Sequence, residues 1–435
     1  MSIIFNPAVI SIIILCILCL KKINVLLSII ISTIIAGLLS GMDIKSVMDT
    51  FISGMGGNSE TALSYILLGT FAATMAHSGF TAVLSDKITG IIKGNKYLLI
   101  LIITLLAMAS QNIIPIHIAF IPIIIPPLLS IMNSMKLDRR AAASALAFGL
   151  KMPYITIPVG FGLIFQNLIA DNMVQNGVNI LRTDIWKSTL ILGLGMLIAL
   201  LFSIFVTYRK PREYKNLPLQ FSPAVKTECS KYTIVIVAFA SLATFIVQLI
   251  THSLPLGALV GLGIVFSLKV IPKNKMDSMM NEGIYLMGYV AFVMLVAAGF
   301  AAVLKESGAI ETLVNAAITI MPDNIIAVSL VILLLGLFIT IGIGTSFGTI
   351  PILAVLFVPI CVNMGFNTAQ IAVIIAAAAA LGDAGSPASD TTLGPTSGLN
   401  ADGQHNHIYD TCIPTFLHYN VSLILFALIG VWIFN

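Results

Sequence analysis

Apolar runs of membrane-crossing length recur along this chain, separated by short connections that hold most of its charge, and that pattern leaves lipid as the medium it folds in. A bilayer's hydrocarbon core of about 30 Å takes about 20 residues of helix to cross. No water is present there to satisfy backbone N–H and C=O groups, so a spanning segment closes its hydrogen bonds within itself as a helix, or around a closed barrel. Runs such as Ile3 to Leu20, Ile23 to Ser40 and Val421 to Phe434 are continuously apolar rather than alternating, which selects helices. With 58% of 435 residues hydrophobic and 9% charged, and a mean hydropathy of +1.05, a soluble globule is excluded. The expected fold class is an all-α polytopic membrane protein. The 22 basic residues are too evenly matched by 18 acidic ones to point to nucleic acid. They gather in a few loops, as a topology signal does.

The five cysteines are an odd count. Cys16 and Cys19 form a C-x-x-C, but inside a run of Ile and Leu they read as small helix-filling residues rather than a metal or redox pair. The first apolar segment lacks a basic leading region and a small-residue cleavage site, so it reads as a retained span.

The positive-inside rule places Lys21 and Lys22, then Asp86 to Lys96, then Lys136 to Arg140, then the basic run Tyr208 to Lys231 on the cytoplasmic side. Gly41 to Glu60 reads as an outside loop with an amphipathic piece, and Thr61 to Ser78 crosses back. Tyr97 to Met135 is overlong for one crossing and carries Ser110, Gln111, Asn112 and Pro115 at its middle, which predicts a re-entrant hairpin dipping from the cytoplasm. Ala141 to Ala170 reads as a broken helix interrupted by Gly149, Pro153, Pro158, Gly160 and Gly162, with Lys151 inside the interruption. Asp171 to Lys187 then falls outside, and Ser188 to Thr207 returns.

The second half follows the same plan. Tyr232 to Ile250 and Leu256 to Val270 span, Lys273 and Lys275 lie inside, and Gly283 to Leu304 goes out. Ile325 to Val362 is again overlong with a glycine-rich centre, Gly342 to Thr349, and reads as a second hairpin, dipping from outside. Gln370 to Gly394 is a second broken helix. Matching pairs (Met48-Asp49 with Met276-Asp277, Ser78-Gly79 with Ser307-Gly308, Ser110 and Pro115 with Ser346 and Pro351, Gly149 and Gly160 with Gly382 and Gly394) predict two inverted repeats of about five spans each. Each repeat holds a re-entrant hairpin and a broken helix. The repeats are 1–208 and 232–435, joined by a basic cytoplasmic linker, 209–231.

The chemistry concentrates in Gly382 to Thr392, GDAGSPASDTT, which follows directly on an alanine-rich apolar run. Gly382, Gly385 and Pro387 break the helical hydrogen-bond ladder. Asp383 and Asp390 at membrane depth cost about 2.5 to 3.5 kcal/mol each on insertion scales, so the stretch reads as a site. In a carrier built from inverted repeats the hairpin tips and broken helices meet near the midplane, where half-helix N-termini attract anions and unwound carbonyls hold cations. That brings Ser110, Gln111, Asn112, Lys151 and Thr349, as candidate solute-binding residues, close to an ion- or proton-binding set of Asp383, Asp390, Thr345, Ser346, Ser386, Ser389 and Thr391. These oxygens suit a hard monovalent cation, and either aspartate could instead carry a proton. Lys151 either pairs with an aspartate or touches solute. His77 and His117 read as packing residues, His405 to His407 as an exposed loop rather than a metal tract, and His418 as interfacial.

The run Gly382 to Thr392, with the G-T-S-F-G-T of Gly344 to Thr349, resembles the NhaC-type sodium/proton antiporter family within the ion transporter superfamily, where G-D-x-x-S-P-x-S-D-T-T and G-T-S-x-G-T runs recur. The continuation from Leu393 to Tyr419 is similar to a branch of that group described both as antiporters and as amino-acid permeases. The resemblance implies a multi-pass secondary transporter of the cytoplasmic (inner) membrane, with two re-entrant hairpins and an elevator-like motion. It implies Na+ and/or H+ as coupling ion and no organic cofactor. Its partners would be the lipid bilayer and a small ion or small organic solute, with a homodimer left open. Lys151 lies outside both motif runs, so its role rests on placement alone.

Sodium/proton antiport is the leading expectation, and sodium- or proton-coupled amino-acid uptake is the alternative, because a buried cation beside carboxylates complements a zwitterion. An intramembrane aspartyl protease needs G-x-G-D, whereas position 380 is Ala. A channel needs a selectivity filter, and nothing in the sequence resembles one.

Overall fold

The structure, a computed structural model, describes residues 5–92, 94–112, 120–217, 230–251, 253–318 and 324–435. Asn6 and Asn24 cap α1 (Pro7–Leu20) and α2 (Val25–Leu39), each side chain accepting a backbone N–H that the helix start leaves unpaired. Asp43 does the same for α3 (Ile44–Met55), an amphipathic helix that buries Val47 and Phe51. After a single tight turn at Gly56–Asn58 come α4 (Ser59–His77), α5 (Phe80–Ile92), α6 (Lys96–Asn112), α7 (Ile121–Ser134), α8 (Arg139–Thr156), α9 (Phe161–Gln175) and α10 (Ile185–Phe202). The second half runs α11 (Lys231–Thr251), α12 (Leu254–Ser267), α13 (Met276–Glu306), α14 (Ala309–Ile318), α15 (Ile325–Ile343), α16 (Ser346–Asn363), α17 (Thr368–Ala380), α18 (Asp390–Leu399) and α19 (Val421–Ile433).

Among the described residues six helical stretches are long and apolar enough to cross a membrane: Arg182–Thr207, Lys231–Gln248, Lys273–Glu306, Ile325–Ile343, Ser346–Asn363 and His407–Ile433. The pair α8 and α9, bent by 48° at its break, makes a seventh. Helices α1, α2, α12 and α17 are apolar but shorter. The last span begins at His407 rather than at Val421, because Asn406 caps it and wider helical turns, bonded i to i+5, carry it through to α19. Asp86 and Lys87, expected on the cytoplasmic side, belong to the helix α5.

Element starts recur at one constant interval. Phe80 and Ala309, Lys96 and Ile325, Arg139 and Thr368, and Phe161 and Asp390 open corresponding helices in the two halves. The neighbours correspond too. Helix α6 lies along α8 as α15 lies along α17, and α7 packs on α18 as α16 packs on α9. Helices α3 and α4 run along α13, and α4 meets it so closely that a Cβ on Gly283 would stand 2.4 Å from the Thr70 nitrogen. In this register Gly149 does not correspond to Gly382. Gly149 is an interior residue of α8, and it lets α6 approach: a Cβ there would be 2.7 Å from the Thr104 carbonyl oxygen.

The first break falls at Ile157 to Gly160. Pro158 drives the residue before it out of the helical region, and Ile157 is extended, at φ −104° and ψ 117°. Lys151 therefore belongs to the helix proper, one and a half turns before the break, and not to the interruption. In the second half Leu381 is extended and Gly382 and Gly385 take φ 78° and 105°, a region glycine enters freely and other residues rarely. Crowding reinforces the requirement, since a Cβ on Gly385 would stand 2.5 Å from Phe416 Cβ.

The basic loops meet at one end of the molecule. Arg139 makes a two-pronged bond to Asp402, Nη1 to Oδ1 at 2.7 Å and Nη2 to Oδ2 at 2.6 Å. Lys136 reaches Glu213 at 2.6 Å, and Arg212 reaches Asp410 at 2.7 Å. The described part of the expected linker, residues 209–217, is thus clasped against the α7–α8 turn and the 402–410 segment. His405 lies buried in that segment, 1% exposed, and contacts Thr411 Oγ1 at 2.7 Å. The expected exposed loop at His405 is corrected accordingly.

Candidate functional site

Three stretches supply the site: the end of α8 ahead of its break, the two-residue joint Gly344–Thr345 between α15 and α16, and the unwound stretch between α17 and α18. Lys151 Nζ donates to Asp383 Oδ2 at 2.7 Å, with the two side chains 1% and 4% exposed. Ser346 Oγ donates to the same oxygen at 2.7 Å. The Tyr154 hydroxyl stands 3.2 Å from it and 2.9 Å from Ser346 Oγ. Ser389 Oγ donates to the other carboxylate oxygen, Oδ1. A carboxylate moved into a low-dielectric interior is tolerated when paired and hydrogen-bonded, and Asp383 has both kinds of partner.

Two helix starts aim at this carboxylate. Ser346 is the first residue of α16, and Ser389 is the N-cap of α18, accepting from the Thr391 N–H at 3.1 Å. The partial positive charge of a helix N-terminus favours an anion there. Asp390 opens α18, is half-buried, and accepts from the Tyr65 hydroxyl at 2.8 Å. Thr391 Oγ1 bridges Ser389 Oγ at 2.8 Å and the Asp383 carbonyl at 3.1 Å. On one side the cluster is walled by rings. Tyr154 lies 5.0 Å from Phe165 and 5.4 Å from Phe347, centroid to centroid, and Phe165 is 5.4 Å from Phe347.

Of the residues expected from sequence, Lys151, Ser346, Asp383, Ser389, Asp390 and Thr391 come together. Ser386 braces the unwound stretch instead, its carbonyl accepting from Thr392 Oγ1 at 2.6 Å and its hydroxyl from the Ala388 N–H at 3.2 Å. Thr345 presents its carbonyl to Thr349 Oγ1 at 2.6 Å, so the Thr349 hydroxyl is spent within α16. Ser110 is buried and donates to the Ala107 carbonyl of its own helix at 2.8 Å. The side chains of Gln111 and Asn112, and the whole of Pro115 and His117, lie outside the described residues.

Tyr154, Tyr65 and Asn420 were not singled out from sequence. Tyr154 stands one helical turn from Lys151, on the same face, and that spacing is its one signal. Asn420 receives the Gly382 N–H at 3.2 Å and donates to the Ala384 carbonyl at 2.9 Å, so it holds the unwound backbone whose ladder is lost.

Residues 145–431 match the Na+/H+ antiporter family, and residues 6–92 match a second description, Na+-H+ antiporter family. An uncharacterised membrane protein of Vibrio parahaemolyticus is 44% identical over 98% of this chain and 99% of its own length. One of Haemophilus influenzae is 41% identical, covering 98% of both. A Bacillus subtilis protein named "Putative amino acid transporter YuiF" is 42% identical over 89% of this chain and 91% of its own. Among solved structures, the YdaH transporter of Alcanivorax borkumensis superposes with a TM-score of 0.47 at 15% identity, covering 90% of this chain and 88% of that one. This chain belongs to the Na+/H+ antiporter family: it is a multi-pass protein of the inner (cytoplasmic) membrane and an ion-coupled secondary transporter, not an enzyme.

Proposed function

We propose that Asp383 carries the coupling cation, Na+ or H+, and that Lys151 is its counter-charge when the cation has left. The observation that carries this reading is the 2.7 Å contact between two buried, oppositely charged groups, one within α8 and one in the unwound stretch after α17. A bare carboxylate is costly at this depth. With Lys151 as internal cation, the emptied site is electrically balanced, so the buried carboxylate is not left bare between the departure of one cation and the arrival of the next. Ser346, Ser389 and Thr391 supply further oxygens and Asp390 a second carboxylate, all hard donors suited to sodium. Residues 1–208 and 232–435 act as inverted repeats around this point, with α15–α16 as a re-entrant hairpin; the constant interval between corresponding helix starts supports that division.

Sodium/proton exchange is the first reading. A second, coupled amino-acid uptake, is favoured by the juxtaposition of Lys151 with two carboxylates, which complements a zwitterion, and by the name of the YuiF relative. Proteoliposomes separate the two. A lumenal pH change driven by an imposed sodium gradient, with no organic solute added, supports exchange. Accumulation of a labelled amino acid under the same gradient, with no pH change in its absence, supports uptake. Failure of Asp383→Asn to impair either flux contradicts the assignment of the site.

A further inference from the structure

A cavity of about 460 Å³ opens at the basic end of the molecule, and Lys151 is not among its lining residues. Its walls come from two sets of elements. One set is the α1–α2 turn and α13, through Lys22 to Val25 and Tyr285 to Val290; the other is α7, α18 and the start of the last span, through Pro126, Thr396, Asn400, Asn406 and His407. The first set packs with α2, α3 and α4, and the second with α8. The cavity therefore follows a seam between two packed groups of helices.

Half of its lining is apolar, and the polar half includes several donors. Lys22 contributes an ammonium, and neither Asp nor Glu is among the lining residues. The oxygen of Asn400 already accepts from the His405 N–H at 3.0 Å, and that of Asn406 from the N–H groups of Ile408 and Tyr409 at 3.0 and 2.9 Å. Asn406, with both oxygen lone pairs taken, offers its Nδ2 donor, and Asn400 offers Nδ2 and one remaining oxygen lone pair. A partly apolar wall that offers an ammonium and amide donors and holds no carboxylate suits an organic anion. The volume far exceeds what a bare sodium ion needs and falls within the range of small-molecule pockets, about 300 to 1,000 Å³.

A hydrogen bond ties the cavity wall to the unwound stretch of the ion site. His407 lines the cavity and donates from Nε2 to the Pro387 carbonyl at 2.9 Å, inside the unwound stretch, while Thr396 Oγ1 meets Nδ1 of the same ring at 2.8 Å. Helix α18, whose first residue is Asp390, forms another wall.

We propose that this cavity is a binding vestibule for a small organic carboxylate of amino-acid size, held by Lys22, Asn400 and Asn406, on the cytoplasmic side of the carrier. The binding stands apart from the assignment of Asp383; only its coupling to the ion rests on that reading.

The test uses the purified full-length chain in detergent, titrated without sodium with a panel of L-amino acids and, in parallel, with their carboxamides, with the thermal unfolding midpoint as readout. At least one amino acid raises the midpoint saturably and its carboxamide does not. Asn400→Asp keeps the acceptor for the His405 N–H but places a negative charge in the wall, and weakens that binding about tenfold or more. Lys22→Gln, on the exposed turn, weakens it as well. Asp383→Asn still binds. The proposal is overturned if no amino acid shifts the midpoint, if carboxamides bind equally, or if Asn400→Asp and Lys22→Gln bind as tightly as the parent chain. An Asp383→Asn protein that binds and transports normally instead removes the ion-site reading and leaves the vestibule standing.

Discussion

Lys151 and Asp383, 232 positions apart in the chain, are joined at 2.7 Å in a place where both side chains are almost wholly withdrawn from solvent. Each is the remedy for the other's burial, and that mutual dependence makes the pair testable by substitution.

Removing one partner strands the other. Asp383→Asn leaves Lys151 buried without a counter-ion, and a broken buried pair costs about 3–5 kcal/mol. The double variant Lys151→Met with Asp383→Leu removes both charges and is expected to unfold at a higher temperature than Asp383→Asn, while remaining inactive. Thermal unfolding of the three proteins measures the stability part. If the double variant is less stable than the single one, the pair is not the source of the loss.

Gly385 in the unwound stretch and Gly365 in the turn after α16 separate backbone strain from crowding. Gly385 and Gly365 both take positive φ, 105° and 79°, but a Cβ on Gly365 meets nothing within 4 Å, whereas one on Gly385 runs into Phe416. Gly365→Ala costs about 1 kcal/mol from its φ alone. Gly385→Ala costs more, because the neighbour is backbone as well as side chain, and it lowers folded yield and unfolding temperature well beyond Gly365→Ala. Equal effects would show that Phe416 yields.

The clasp between Arg139 and Asp402 predicts a pH dependence. Burial pushes the Asp402 carboxyl up, but the hydrogen bonds and charge of Arg139, with further bonds from Gln404, outweigh it and hold the group below the usual carboxylate range. A carboxylate lowered on folding contributes stability that is present above its unfolded value, about 3.9, and lost as pH falls through the lowered one. Below about pH 4 the wild-type protein loses this contribution. Asp402→Asn has already lost it, so its unfolding temperature is lower at neutral pH and declines less on acidification. Arg139→Lys, which keeps the charge but not the two-pronged geometry, falls between the two.

Ser389 does two things, capping α18 and donating to Asp383. Ser389→Ala loses about 1 kcal/mol of helix capping and weakens the affinity of the carrier for its coupling ion, read as a several-fold rise in the half-saturating sodium or proton concentration. A stability loss with unchanged ion dependence would restrict Ser389 to capping.

Much of this arrangement could be read from residue order because it is written in glycine, proline and charge. The alanine run ending at Gly382 and the aspartates beyond it mark a broken helix, and the structure unwinds there. Lys151 was legible as a buried cation, but its setting was not. Of the glycines and prolines around it, Pro158, acting on Ile157, places the break, whereas Gly149 serves the packing of α6 and Pro153 is absorbed within α8. Tyr154 and Tyr65 escaped notice because a lone tyrosine in an apolar helix is usually packing, and only the fold reveals which carboxylate it faces. His405 looked exposed because Gly, Gln, Asn and His surround it. It is buried because the 209–217 segment and Arg139 close over that turn through contacts far apart in sequence.

The most direct test of the central claim is ion-driven flux in proteoliposomes of the parent chain, Asp383→Asn and Thr349→Val at matched protein content. The flux is protons against sodium or a labelled amino acid, whichever the parent chain moves. The account predicts that Asp383→Asn falls to the protein-free background while Thr349→Val, whose hydroxyl is spent on its own helix, stays within about twofold of the parent, an effect under about 0.5 kcal/mol. Parent-like flux from Asp383→Asn would contradict it.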